Sequence, residues 1–134
     1  MIQIGTDIVY IPRIQAAIER FGDRFLQRVY TPGEQQDCGY VRASRRPSIN
    51  QLAGRWAAKE AVAKALGTGW RGLSYTDIEI RRQPSGAPAV HLYREAATLV
   101  TSWGESQWHL SLSHDRDYAI ATALLVCSTE TKQP

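Results

Sequence analysis

Residues 49–66, INQLAGRWAAKEAVAKAL, carry the longest helical pattern in the chain. Leu52, Trp56, Val62 and Leu66 follow an apolar stripe, and six alanines favour helix and let neighbouring elements approach closely. Ser48-Ile-Asn-Gln51 is a capping-box sequence at its start, and Gly67 is placed to end it. The spacing therefore predicts one long central helix. Ahead of it, residues 2–11 (IQIGTDIVYI) read as a buried strand, and Pro12 suits the first turn of a helix that carries Ile14, Ala17, Ile18 and Phe21 at helical spacing and stops at Gly22. Thr31-Pro-Gly-Glu34 is another capping box with Pro at its first helical position, and residues 43–47 (ASRRP) end the helix it opens. After Gly67 the period changes. Residues 76–82 alternate as a strand, PSGAP (84–88) is a turn and 89–93 the return strand, 94–104 is a short helix, 108–113 alternates strictly, and 118–126 is a final strand. The class is α+β, a small antiparallel sheet packed with helices. A length of 134 residues fits one domain, placed at 1–126, with a polar tail at 127–134.

With 43% apolar and 22% charged residues, the composition excludes a disordered or collagen-like chain. No apolar run is long enough for a membrane-spanning helix, and MIQIGTDIVYIPRI lacks the basic start and long apolar stretch of a signal peptide, so a cytoplasmic location is expected. Cys38 and Cys127 lack metal-ligand or redox spacing and read as two thiols. The charge is more informative. Thirteen of the sixteen basic residues are arginine; of the three lysines, Lys132 lies in the tail and Lys59 and Lys64 share the long helix. Residues 1–71 carry eleven basic and six acidic side chains, a net of +5, whereas the remainder carries five and seven. An acidic or phosphate-rich partner facing the first half follows from that imbalance.

Three segments hold residue types that their local structure does not require. Gly5-Thr-Asp7 puts two poor strand formers inside an apolar strand, and spacing alone leaves two readings level: a turn aspartate beside a bulge at Gly5, or a carboxylate held for a cation. In the long helix, Glu60 and Lys64 are one turn apart; as a single pair they are an ordinary surface ion pair worth about 0.2–0.5 kcal/mol. With Arg55 and Lys59 on the same alanine-rich helix, they can instead present one carboxylate and several cations to an anionic ligand. Ser111-Leu-Ser113-His114-Asp115 closes an alternating strand, but adjacency is not a triad and no nucleophile elbow is present. Gly67-Thr-Gly69 lacks any phosphate-loop pattern and by itself reads as a helix stop. His91 and His109 read as structural.

Taken together, GTDIVYIPRI, GRWAAKEAVAKALGTG and SLSHD, in this order and at these separations, resemble the holo-[acyl-carrier-protein] synthases, the small bacterial-type 4'-phosphopantetheinyl transferases. The resemblance runs from Ile4 to about Val126, and Trp56 stands where phenylalanine is usual. It implies transfer of the phosphopantetheine arm of coenzyme A to a serine of an apo acyl carrier protein, with release of 3',5'-ADP, for fatty acid biosynthesis. It implies Mg2+ held by Asp7 and Glu60, with Lys64 at the diphosphate, and leaves open whether Glu60 or a metal-bound water takes the serine proton. Arg55 and His114 match positions that contact the nucleotide, and Gly67 and Gly69 match a close-approach loop. A homotrimer with sites between neighbouring chains is also implied. Arg13 matches a family arginine on the face that meets the acidic carrier; Arg20, Arg24 and Arg28 extend that face by charge and spacing alone. On this reading the basic half serves two acidic partners, with Lys59 and Lys64 both facing phosphate.

The alternative is a basic binding module, for carrier protein or nucleic acid, without catalysis. No recognised nucleic-acid motif is present, acids interrupt the arginines, and Asp7 and Glu60 would repel phosphate without a metal, so neither nucleic acid nor membrane is expected as a partner.

Overall fold

The structure, a computed structural model, describes residues 1–39 and 48–128. The break expected at 43–47 and the tail from 129 onward, with Lys132, lie outside the described residues. The long helix forms over Ile49–Leu66 and is α4 in chain order. Ser48 caps it by accepting the Gln51 N–H, and Gly67 ends it in the left-handed conformation at φ +83°. The reciprocal bond of the expected capping box is replaced: the Gln51 side-chain oxygen accepts from Arg82 instead. All six alanines of α4 are buried, so the helix must be covered on several sides.

One cover is a three-stranded antiparallel sheet made of β1 (Ile2–Tyr10), β4 (Ser106–Asp115) and β5 (Tyr118–Cys127), in the order β1-β5-β4. Its helix-facing side is built from small residues. Gly5 lies opposite Ala123 and Asp7 opposite Ala121, and Ala119, Ala121 and Ala123 are buried. At Gly5 the strand backbone rests on the helix backbone. A methyl group there would sit 2.0 Å from the Ala61 carbonyl oxygen and 2.7 Å from the Ala65 nitrogen. The glycine is thus required by contact, not by a bulge: the ladder runs unbroken from Ile2 to Tyr10.

The expectation of a buried first strand is corrected here. β1 is an edge strand, and Ile2, Ile4, Ile8 and Tyr10 on its outer face are exposed, together with Tyr118, Ile120 and Val126 of β5. Among the described residues nothing covers this face. β5 also runs through Cys127, one residue into the expected tail. Both cysteines are free thiols and buried, and burial pushes the Cys38 thiol up to about 11.

The helices α1 (Ile11–Phe21) and α2 (Asp23–Val29) are separated at Gly22, whose φ of +60° turns the chain. The short α3 (Pro32–Asp37) has the complete capping box read from Thr31 and Glu34. A second sheet pairs β2 (Ile78–Arg82) with β3 (Pro88–Leu92), and α5 (Arg94–Thr101) follows. β2 starts later than the alternation suggests because Tyr75–Asp77 form a 3-10 turn with its own capping box from Ser74. Among the described residues no helix is long and apolar enough to cross a membrane.

The edge of β2 away from β3 is satisfied by side chains rather than by another strand. Lys59 donates to the Ile78 carbonyl, Glu34 accepts from the Ile80 N–H at 2.7 Å, Arg55 donates to the Ile80 carbonyl at 3.2 Å, and Asp37 accepts from the Arg82 N–H at 2.9 Å. Side chains of α3 and α4 therefore use up the hydrogen bonds that an open edge leaves exposed. Within this set Lys59 and Glu34 are fully buried and joined at 2.6 Å. Burial pushes the Glu34 carboxyl up and the Lys59 ammonium down, and each group pulls the other back. Lys59 is accordingly not a phosphate-facing lysine; it is a structural cation on the far side of α4.

Removing one member of such a pair leaves a charge buried alone. Lys59→Met should cost about 3–5 kcal/mol, and adding Glu34→Gln should recover part of that loss. The urea unfolding midpoints of the two variants test this.

Candidate active site

The close seating of β1 on α4 sets the site. With Gly5 against Ala61 and Ala65, the strand places Asp7, two residues on and on the same face, beside the last turn of the helix. Asp7 Oδ1 and Lys64 Nζ are 3.0 Å apart, and Lys64 also donates to the Thr6 carbonyl at 3.0 Å. The Lys64 side chain is 53% exposed and that of Asp7 16%. A pair this open contributes little stability, so the ammonium can exchange Asp7 for another anion at small cost. The strand acid does have a cationic partner, one of the two readings its sequence context left level.

Glu60 lies one turn before Lys64 but does not pair with it in the structure. Its Oε2 accepts the indole N–H of Trp70 at 2.9 Å. Tyr75 stands beside the same carboxylate: burial first, then the charge and hydrogen bonding of Glu60, push its phenol up, and Arg28 opposes them. Tyr75 thus faces Glu60 and α2 at once. It is also the middle of a run of rings, with Trp70 at 4.1 Å and Trp56 at 5.2 Å, and Phe25 of α2 stacked on Trp56 at 6.2 Å.

On the α2 side of this run lies an open groove of about 570 Å³ lined by Phe21, Arg24, Phe25, Arg28, Val29, Trp56 and Tyr75. Its floor is aromatic and two of the expected docking arginines form its rim. Arg13 and Arg20 are exposed on α1, with Arg20 over the Phe21 ring, but neither lines the groove.

The structure does not bring all the expected residues together. Arg55 and Lys64 are nine positions apart on one helix, which puts them half a turn apart around it. Arg55 is 7% exposed, donates to Ile80 and lies 3.9 Å from Asp37, so it belongs to the β2 edge described above. His114 is exposed near the end of β4, aligned through Ala119 with Val9. Gly67 and Gly69 have φ of +83° and +58°, with nothing near the positions of their missing side chains, and so shape an open loop after α4. Trp70 and Tyr75 were not among the expected site residues. They follow no period, and only the loop's return over α4 brings them to Glu60.

Among the described residues no group of three or more His, Cys, Asp or Glu side chains is gathered for a metal. Asp7 and Glu60 remain as two hard oxygen donors near a cation, without sulfur or imidazole. That donor set suits Mg2+, which commonly takes one or two carboxylates and completes its shell with substrate phosphates and water.

Residues 3–123 match the family model described as the 4'-phosphopantetheinyl transferase superfamily. A holo-[acyl-carrier-protein] synthase of Gloeobacter violaceus is 55% identical over 124 residues, covering 92% of each chain. Among solved structures, the holo-[acyl-carrier-protein] synthase of Neisseria meningitidis superposes with a TM-score of 0.81 at 37% identity, over 94% of this chain and 99% of that one. The Helicobacter pylori holo-[acyl-carrier-protein] synthase in complex with coenzyme A gives 0.76 at 35% identity, over 92% and 99%.

Proposed function

The chain belongs to the 4'-phosphopantetheinyl transferase superfamily, and from that premise we propose that it is a holo-[acyl-carrier-protein] synthase. It moves the 4'-phosphopantetheine arm of coenzyme A to a serine of an apo acyl carrier protein and releases 3',5'-ADP. The observation that carries the reading is the Asp7–Lys64 contact beside Glu60, held by the seating of Gly5 on α4. Fatty acid biosynthesis is the pathway and the cytoplasm the compartment of this reading.

In the reaction, the carrier serine oxygen bonds to the pantetheine-bearing phosphorus of the diphosphate. The bond from that phosphorus to the bridging oxygen breaks, and the electron pair leaves with 3',5'-ADP. Asp7 and Glu60 are the residues that would hold Mg2+. When bound, Mg2+ neutralises and orients the diphosphate. Lys64, exposed and only weakly tied to Asp7, turns to a diphosphate oxygen and meets the charge that develops on the departing ADP. Glu60 either takes the serine proton itself or orders the water that does. His114 and the open loop at Gly67 and Gly69 serve the nucleotide end.

Arg13, Arg20, Arg24 and Arg28 form the basic face for the acidic carrier. The aromatic groove between Arg24 and Arg28 gives it an apolar floor that ends at Tyr75, next to Glu60. The exposed apolar side of β1 and β5 supports a homotrimer, because Ile2, Ile4, Ile8 and Ile120 leave more apolar surface uncovered than one thin sheet can hide.

Incubation with coenzyme A, Mg2+ and an apo carrier protein should give a carrier heavier by the phosphopantetheine arm in mass spectrometry. Glu60→Gln should lose most of this activity, at least about 100-fold, with its circular dichroism unchanged; full activity in that variant would refute Glu60's role. Carrier that is bound but never modified by the unaltered chain would favour the non-catalytic alternative. Arg24→Glu with Arg28→Glu should raise KM for the carrier and leave KM for coenzyme A near its starting value; the opposite pattern would contradict the docking face. Ile4→Asp with Ile120→Asp should convert a trimer to monomers by sedimentation; a monomer in the unaltered chain would overturn that assembly.

A further inference from the structure

Glu60 is on α4, but its carboxylate accepts a hydrogen bond from a residue outside the helix. Trp70 lies three residues beyond the Gly67 cap, in a loop where Gly67, Gly69 and Gly72 all have positive φ. Backbone bonds tie that loop back: the Gly69 N–H reaches the Ala63 carbonyl at 3.2 Å, and the Leu73 N–H reaches the Trp70 carbonyl at 3.1 Å. The indole therefore returns over α4 and is pressed from its other side by Tyr75, whose ring is 4.1 Å away. Tyr75 is backed in turn by Trp56 and Phe25. This stack fixes the ring plane and with it the direction of the single N–H.

An indole is a donor with no acceptor, and its single N–H occupies only one carboxylate oxygen. In the structure that oxygen is Oε2, at 2.9 Å. Packing alone would be served by any large ring at position 70; the N–H is the part of the side chain that singles out Glu60. We propose that Trp70 is a positioning residue for Glu60: its N–H anchors Oε2 and so orients the carboxylate toward a divalent cation, and the stack from Phe25 to Tyr75 holds the donor in place. The inference rests on the reading of Glu60 as a metal ligand. Partners that orient a ligating group typically alter metal affinity by about 10–100-fold when removed.

The test uses Mn2+ as a spectroscopic probe, titrated into the full chain and followed by the electron paramagnetic resonance of the unbound ion. The unaltered chain is compared with Glu60→Gln, Trp70→Phe and a variant in which residue 70 is benzothienylalanine, which keeps the indole shape and replaces the N–H by sulfur. We expect Glu60→Gln to abolish most binding, and both changes at position 70 to raise the Mn2+ Kd about 10–100-fold. In transfer assays, Trp70→Phe should raise KM for Mg2+ by a larger factor than it lowers kcat. Unchanged binding in Glu60→Gln would remove the ligand reading and this inference with it. Weak binding in Glu60→Gln with unchanged binding in both position-70 variants would overturn the inference alone. Loss in the phenylalanine variant but not in the benzothienyl variant would assign Trp70 to packing and overturn it likewise. Should Trp70→Phe fail to fold, the benzothienyl variant decides, since it alters one atom of the ring.

Discussion

The contact between Gly5 and the backbone of α4 is the constraint on which the rest is built. A strand and a helix normally meet through side chains. Here a missing side chain lets the Ala61 carbonyl and the Ala65 nitrogen approach the strand directly. The alanines of β5 continue this thin interface across the sheet. The distance between the two elements then determines whether the short side chain of Asp7 can reach Lys64. A larger residue at position 5 would push the sheet away from the helix and open that contact, without touching any charged group.

The same helix separates two kinds of electrostatics. Arg55 and Lys59 face β2 and are consumed by backbone carbonyls and by Asp37 and Glu34. Glu60 and Lys64 face the open side, where Lys64 is half exposed and Glu60 is held by a neutral donor. Buried charges that are paired and hydrogen-bonded hold structure. Exposed charges with weak partners are available for ligands. The two sets lie on different faces of α4, and the difference lies in what packs against each face rather than in residue type.

That difference explains what the sequence could and could not disclose. The long helix, its stop at Gly67, the Thr31 capping box and the alternating strands were legible because each depends on neighbours in sequence. The pairing of Asp7 with a cation was one of two open readings, since the strand pattern showed an acid out of place but not its partner. Lys59 was misread because its spacing to Lys64 says nothing about Glu34, twenty-five residues earlier, or about the open edge of β2. The outer face of β1 was misread as buried because apolar content alone does not distinguish a central strand from an edge strand whose cover lies outside its own sheet. Trp70 was invisible for a similar reason: its partner is ten residues back, across a turn at Gly67 and Gly69.

The sheet that carries Asp7 closes through β5, whose residues pair with β1 from opposite ends of the chain. Ile2 meets Val126, and Tyr10 meets Tyr118. Long-range pairings of this kind form late, because the whole intervening chain must be ordered before they are rewarded. During synthesis, α4 with Glu60 and Lys64 emerges well before β5. Until β5 arrives, β1 lacks the strand that fixes its register on the helix. The lysine and both acids can therefore all be present in a nascent chain before Asp7 and Lys64 have met, so that their contact is among the last features of the chain to form.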